Sequence, residues 1–227
     1  DELEEIEADL GRKIRLWRSM ETFEERLGIW ASTPFIKIDM AEMEAEVQRY
    51  WRTVQLSEKH LPTNPAVGRL KKMVKEVKLT VPVVADLRSE CLTARHWAAL
   101  QDVLGTDVRG NPSLTFQEMV EANLKNAADA VSSVVTEAEQ EAILLRMVDK
   151  VHGMWAEAEF ELKVFKGTRG VFILGGVDEI TSHLDDSIVT VGNVLASPYV
   201  GPIRADVEDL ASKLHTLQVS LNLMGGG

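Results

Sequence analysis

The sequence predicts a mainly α-helical protein, an elongated multi-helix bundle or rod-like arm with one β-hairpin near residues 160–174. Apolar residues recur at steps of three and four through most of the 227 residues, which is the period of an amphipathic helix. Helix-capping residues and prolines stand where these apolar stripes begin. A single stretch, FELKVFKGTRGVFILGG at 160–176, alternates with period two instead.

The first thirty residues predict one long amphipathic helix. A connection containing Pro34 follows and alternates in polarity, which favours an extended segment. Asp39 is then the predicted N-cap of a second helix, because its carboxylate can accept from the free N–H groups of the first turn. The stripe of the first helix comprises Leu3, Ile6, Leu10, Ile14, Trp17, Met20, Phe23, Leu27 and Trp30.

A third helix is predicted from Asn64 and Pro65, a cap followed by proline at the first helical position. Pro82 lies inside its apolar stripe, where it removes one backbone hydrogen bond and crowds the preceding turn. We therefore expect a kink or a break near Leu79, and Pro82 is the candidate bend of the protein. The stripe comprises Val67, Leu70, Val74, Val77, Val81 and Val84.

Two further helix starts are marked by threonine caps. Thr93 caps a short helix that is predicted to end at Gly105. Thr115 and Glu118 have the spacing of a capping box, in which each side chain satisfies the backbone N–H of the other residue. The helical period then continues to Trp155, just before the alternating stretch.

The alternating stretch predicts a β-hairpin between two helices. Phe160, Leu162 and Val164 alternate with charged residues, as in a strand with one buried face. Glycines at 167 and 170 supply the turn, and a β-rich run at 171–174 follows. Because an isolated hairpin is marginal in water, we expect it to pack on helices or on another body.

The helical period returns after the hairpin and ends in a heptad-like seam. This seam predicts packing inside a bundle rather than a separate coiled coil, since the neighbouring helices also need partners. It comprises Ile203, Val207, Leu210, Leu214, Leu217 and Leu221. We expect a helical rod over 1–92 and a bundle with the inserted hairpin over 93–224, with glycines 225–227 as an added end.

Composition and charge exclude several classes of function. Hydrophobic residues make up 45% and charged residues 27%, which is ordinary for a folded domain. The net charge of −11 disfavours nucleic acid and the acidic microtubule surface, unless a local basic patch overrides it. No apolar run reaches the ~20 residues of a membrane span. The single cysteine, Cys91, is expected to be a buried apolar residue, and the acidic first residues do not predict an export signal.

The sequence predicts no catalytic, cofactor-binding or metal site. It contains no phosphate-binding GxxxxGK[ST] and no GxSxG elbow. The five histidines show no metal-ligand spacing, and His96 is expected to be a packed helix residue. Adjacent helix positions face different directions, so Asp185 and Asp186 are expected to lie on a solvated face. The five tryptophans stand on or beside apolar stripes, which favours core packing.

Two separated segments resemble dynein heavy chains. Residues 155–203, WAEAEFELKVFKGTRGVFILGGVDEITSHLDDSIVTVGNVLASPYVGPI, are similar to the linker region of that family in the order of their helix, strand, turn and Ser-x-Tyr-Val-Gly-Pro motifs. Residues 86–100, DLRSECLTARHWAAL, resemble the family's Arg-His-Trp signature. The resemblance covers about 86–207, and the GGVDEI and YVGPI variants look more axonemal than cytoplasmic.

The resemblance implies a mechanical role. The linker of these motors is a helical arm that lies over the ring of AAA+ modules and swings as nucleotide changes there. This chain resembles the N-terminal part of that arm, so its implied partners are the ring, the rest of the linker and the tail. ATP and Mg²⁺ would be cofactors of the ring and not of this segment, which lacks the ATPase modules. The implied location is the cytoplasm and cytoskeleton, in the axoneme of a cilium or flagellum.

Three basic residues near the hairpin turn are the candidate ring contact. Lys163, Lys166 and Arg169 cluster there in an otherwise acidic chain. They either solvate the hairpin or meet an acidic patch on the ring, where each partly desolvated pair would contribute on the order of 1 kcal/mol.

An alternative function stays open at this stage. A static helical scaffold or adaptor could dock partner helices through the Leu210–Leu221 seam. Such a scaffold would bind regardless of nucleotide, whereas the contact of a moving linker with its ring would depend on it.

Overall fold

A computed structural model describes residues 2–105, 107–109, 113–121, 124–164, 170 and 172–225. Their contacts group the chain into two compact units, Asp1–Thr136 and Glu137–Gly227. The predicted division into 1–92 and 93–224 places its boundary inside the first of these units, and it stays a prediction about domains. The mainly helical class with one hairpin is confirmed.

The first unit is helical throughout its regular elements. Its helices are α1 (Glu2–Ser32), α2 (Met40–His60), α3 (Pro65–Asp86), α4 (Ala94–Leu104), α5 (Phe116–Glu121) and the first part of α6 (Leu124–Glu157). Helix α6 continues without interruption into the second unit.

The predicted helix starts are confirmed by their hydrogen bonds. The Asp39 carboxylate accepts from the backbone N–H of Glu42 at 3.0 Å. The Asn64 side chain accepts from the backbone N–H of Ala66 at 2.9 Å, and Pro65 occupies the first helical position. The Thr115 N–H donates to the Glu118 carboxylate at 2.7 Å, while the Glu118 N–H donates back to the threonine hydroxyl at 3.3 Å. Each of these bonds satisfies a donor that a helix terminus leaves free.

The core of the first unit lies where α2 and α3 contact each other and α1. All six residues of the predicted α3 stripe are buried. On α2 the buried aromatic is Tyr50, with Trp51 only partly buried beside it. Phe23 of α1 packs edge-on against Tyr50, with ring centroids 4.8 Å apart. Edge-to-face contact of this kind adds to the area that the rings bury.

Helix α1 is buried only in its second half. Leu16, Phe23 and Trp30 lie in the core, whereas the predicted stripe from Leu3 to Ile14 is exposed. Trp17, which we expected in the core, is 56% exposed. The helix advances 100° per residue, so a stripe with a mean step below 3.6 residues rotates around it, and its two halves face different directions.

The connection around Pro34 is not simply extended. Residues Phe35–Lys37 form a short 3₁₀ turn, and Pro34 forms a β-bridge with Thr115. The Phe35 N–H donates to the carbonyl of Leu114 at 2.9 Å. A distant segment thus supplies hydrogen-bond partners for backbone groups that have no partner in the local sequence.

Pro82 does not break its helix. Helix α3 runs through this residue to Asp86, so the predicted break is wrong, and the bend stays a prediction. Val81, Val83 and Val84 are all buried around the proline. Burial of three such side chains contributes about 1.5–3 kcal/mol each, which offsets the roughly 3 kcal/mol that an interior proline costs.

The second unit packs the end of α6 with α7 (Val177–Ala196) and α8 (Arg204–Gly225) around its own core. In chain order, strands β1 (Glu161–Val164) and β2 (Phe172–Gly175) follow α6 and precede α7, and a 3₁₀ turn at Gly201–Ile203 precedes α8. The α8 seam is buried at four of its six positions, Val207, Leu210, Leu214 and Leu221. Packing inside a bundle is therefore confirmed.

Other single-residue expectations have mixed outcomes. His96 is buried, and Asp185 and Asp186 are exposed, as predicted. Cys91 is only half-buried, so the expectation of a buried cysteine is wrong. None of the described helices combines the length and apolarity that crossing a membrane requires.

Candidate functional site

The hairpin pairs its strands in antiparallel register and places four apolar side chains on one side. Leu162 is opposite Leu174, and Val164 is opposite Phe172. Paired residues point to the same side of a sheet, so these four side chains form one face, here called the apolar face. Lys163 and Ile173 pair on the other side.

Three of the four side chains of the apolar face are exposed in this chain, and Leu174 is half-buried. Leu162 is 65% exposed, Val164 is 63% exposed and Phe172 is 59% exposed. Alternation correctly predicted the strands. Of the two predicted ways of covering the hairpin, packing on helices is not seen at these three side chains, so packing on another body stays the prediction. Three large apolar side chains left together in water are typical of a surface that another body covers.

The opposite face carries charge close to a glycine. The Lys163 ammonium lies 3.1 Å from the Glu161 carboxylate, and both side chains are more than half exposed. A methyl group built on Gly175 would lie 2.8 Å from Cε of Lys163, so the absence of a side chain there gives the lysine stem its room. Such an exposed pair contributes little to stability, which leaves Lys163 available to another partner.

The structure describes one of the three predicted contact residues, Lys163. Lys166 and Arg169 lie outside the described residues, as does the turn itself apart from Gly170. The basic cluster as a contact therefore stays a prediction. The functional feature that sequence reasoning missed is the apolar face, although the register of two alternating strands would have revealed it.

The base of the hairpin is held by a hydrogen-bonded contact between α6 and α7. The Trp155 indole N–H donates to the Ser187 hydroxyl at 2.9 Å, and that hydroxyl donates to the His183 carbonyl at 2.6 Å. Ser187 is fully buried. Gly176 joins β2 to α7 with φ +66°, a left-handed conformation that favours glycine. The strands thus project from a fixed base.

A cleft of about 380 Å³ lies at this base and is acidic. Its lining includes the carboxylates of Glu157, Glu159, Glu161 and Glu179. The base of the hairpin is therefore acidic, whereas Lys163 further along β1 is basic. The hairpin thus carries opposite charges at different points along its length. Such an arrangement can bind and orient a partner through apolar contact and charge complementarity.

Comparison with known proteins identifies the family. The family model of the dynein heavy chain, N-terminal region 2, matches residues 3–225. Human dynein axonemal heavy chain 6 is 33% identical over 213 residues, which are 93% of this chain. Human dynein axonemal heavy chain 1 is 26% identical over 96% of the chain, and the ciliary dynein beta chain of Tripneustes gratilla is 22% identical over 90%.

The match covers a small part of each relative. This chain spans about 5% of the length of these heavy chains. Within that span the family model covers both described units, including the hairpin and the helices at its base. The chain therefore belongs to the dynein heavy chain family and corresponds to its N-terminal region 2.

Proposed function

We propose that this chain is a segment of the linker of a dynein motor. As such it is a helical arm that packs over the AAA+ ring and changes position with the nucleotide state of the ring. That movement would contribute the power stroke along microtubules. The observation that carries the proposal is the exposed apolar face of the hairpin, which projects from a fixed base in a chain of this family.

The hairpin is the proposed contact with the ring. Leu162, Val164 and Phe172 supply apolar area, and Lys163 supplies charge at its edge. Lys166 and Arg169 of the turn extend that charge. Apolar contact provides affinity, whereas the basic residues select an acidic patch and fix the register of the contact.

The parent heavy chain supplies the remaining parts in this proposal. ATP and Mg²⁺ act in the ring, and this segment is not itself an enzyme. Its partners are the ring, the rest of the linker and the tail, without nucleic acid, a membrane or direct microtubule contact. The relatives are named axonemal or ciliary, which supports a place in the cytoskeleton of a cilium or flagellum.

A static scaffold is the weaker alternative. It would dock partner helices through the α8 seam, but Leu210, Leu214 and Leu221 are buried in the core of their own unit. Exposing them would cost the burial that holds that unit together. The seam is therefore occupied, while the hairpin face is free of such packing.

The test measures binding of this chain to a dynein motor ring that lacks its own linker, without nucleotide and with ADP-vanadate. A moving arm predicts a clear difference in affinity, because only differential affinity can shift a conformational equilibrium. Equal, measurable affinity in the two states would favour static docking and contradict the proposal.

The basic residues are tested separately in the full motor. We expect the substitutions Lys166→Glu and Arg169→Glu together to slow microtubule gliding, since they place like charges against an acidic patch. Lys163→Glu should act in the same direction from the strand. Unchanged gliding speed with unchanged ATPase coupling would remove the basic cluster from the contact.

A further inference from the structure

A basic groove lies between α1 and the last turns of α2, away from the hairpin. Its volume is about 500 Å³, within the range of ligand pockets in proteins. Arg12, Arg15 and Arg18 line one side, and the other side includes Thr53, Ser57 and His60. We use the name arginine groove for this feature.

The sequence segregates charge to form this groove. The first nine residues of α1 are rich in Glu and Asp, whereas Arg12, Arg15 and Arg18 follow at steps of three. Residues three apart are neighbours on a helix surface, and all three arginines line the groove beside α2. The result is a local basic patch in a chain whose net charge is −11.

The arginines are poorly compensated within the chain. Arg12 reaches Asp9 only at 3.8 Å through Nη2, and its buried Nε has no hydrogen-bond partner. The guanidinium groups of Arg15 and Arg18 form no ion pair and no hydrogen bond with any described residue. A buried donor without an acceptor is costly, and a bound anion would satisfy it.

The rest of the lining also suits an anion. Ser57 is 7% exposed, and its hydroxyl can donate into the groove beside that of Thr53. Among the described residues that line the groove there is no carboxylate. A ligand with acceptors only, and with more than one negative charge, therefore matches the donors better than a neutral molecule does.

We infer that the arginine groove binds a phosphate-bearing anion. Guanidinium groups match phosphate oxygens through paired N–H donors. Three guanidinium groups are balanced better by a phosphate group with a charge of −2 or more than by a single carboxylate. The phosphate belongs either to a small polyphosphate or to a phosphorylated side chain of a polypeptide, which share this chemistry. The inference stands on the groove alone and is independent of the linker role proposed above.

The test is calorimetric titration of this chain with inorganic tripolyphosphate. The double variant Arg15→Gln, Arg18→Gln removes two exposed guanidiniums, so the fold is expected to persist. The matched control, Lys72→Gln with Lys75→Gln, removes the same charge from an exposed part of α3 outside the groove. We expect the arginine variant to lose affinity at least about 10-fold and the control less than about 2-fold, since screened charges outside the site contribute little.

A second titration identifies the source of the phosphate. A short phosphoserine peptide and its unphosphorylated form are compared with tripolyphosphate. Binding of the phosphopeptide that is lost in the arginine variant assigns the site to a phosphorylated side chain, and binding of tripolyphosphate alone assigns it to a small anion. Absence of binding by both probes, or equal losses in the arginine and lysine variants, would overturn the inference.

Discussion

Phe172 gives a sharp test of the hairpin as a binding surface. It is 59% exposed and lies on the apolar face opposite Val164. Full burial of such a side chain is worth about 1.5–3 kcal/mol, so covering its exposed part contributes about 1–2 kcal/mol. We expect Phe172→Ser to weaken binding to the linker-less ring by about 5- to 30-fold, because each 1.4 kcal/mol corresponds to about tenfold in affinity.

The same substitution should leave the fold nearly unchanged. In the free chain it removes one cross-strand contact with Val164, worth about 0.2–1 kcal/mol. Leu184→Ala provides the opposite case, since Leu184 is 1% exposed in the core below the hairpin. That change should cost about 2–5 kcal/mol of unfolding free energy. Urea unfolding monitored by circular dichroism distinguishes the two effects from binding.

A matched surface control completes the test. Val189 on α7 is 62% exposed and lies outside the hairpin, so Val189→Ser removes a comparable apolar surface from elsewhere in the same unit. We expect ring binding of this variant to equal that of the unaltered chain. If Phe172→Ser binds as tightly as the unaltered chain, or Val189→Ser weakens binding equally, the reasoning from the apolar face is refuted.

Three further predictions concern stability. Gly176→Ala should lower the unfolding free energy by about 1–2 kcal/mol, measured by urea titration, because an L side chain is strained at its φ of +66°. Ser187→Ala should cost about 1–3 kcal/mol in the same assay, since it leaves the Trp155 indole N–H without its acceptor. Arg26 donates to both oxygens of Glu46 at 2.7 Å and lowers the pKa of that carboxyl. The contribution of this ion pair to the unfolding free energy is therefore present above the ordinary pKa of the carboxyl and is lost as pH falls through the lowered pKa. Glu46→Gln should lower the unfolding free energy at about pH 7 and differ less from the unaltered chain at about pH 3.

Helix starts could be predicted from the sequence because their causes are local. The caps at Asp39, Asn64 and Thr115 bond to backbone groups within three residues. No distant contact is needed for such a bond, so the residue types and their spacing suffice. The hairpin follows the same rule, since alternation and turn glycines lie within one stretch of 17 residues, 160–176.

Features that depend on distant partners could not be predicted. The bridge between Pro34 and Thr115 joins residues far apart in sequence, and nothing near either residue indicates the other. The unbroken course of α3 through Pro82 likewise depends on the core that covers Val81 and Val84. Tertiary burial there outweighs a local penalty. The half-buried position of Cys91 is a further example.

A comparison of α1 with α8 shows most clearly what apolar periodicity cannot predict. The stripes of α1 and α8 have the same steps of three and four, yet Leu214 is buried and Leu10 is exposed. The α8 stripe contacts α7, whereas the side of α1 that bears Leu10 is exposed. A period records which face of an element is apolar, but it does not record whether this chain contains the body that covers it. The apolar face of the hairpin is the same case in a strand, and burial by another part of the heavy chain is what the ring-binding test of Phe172 measures.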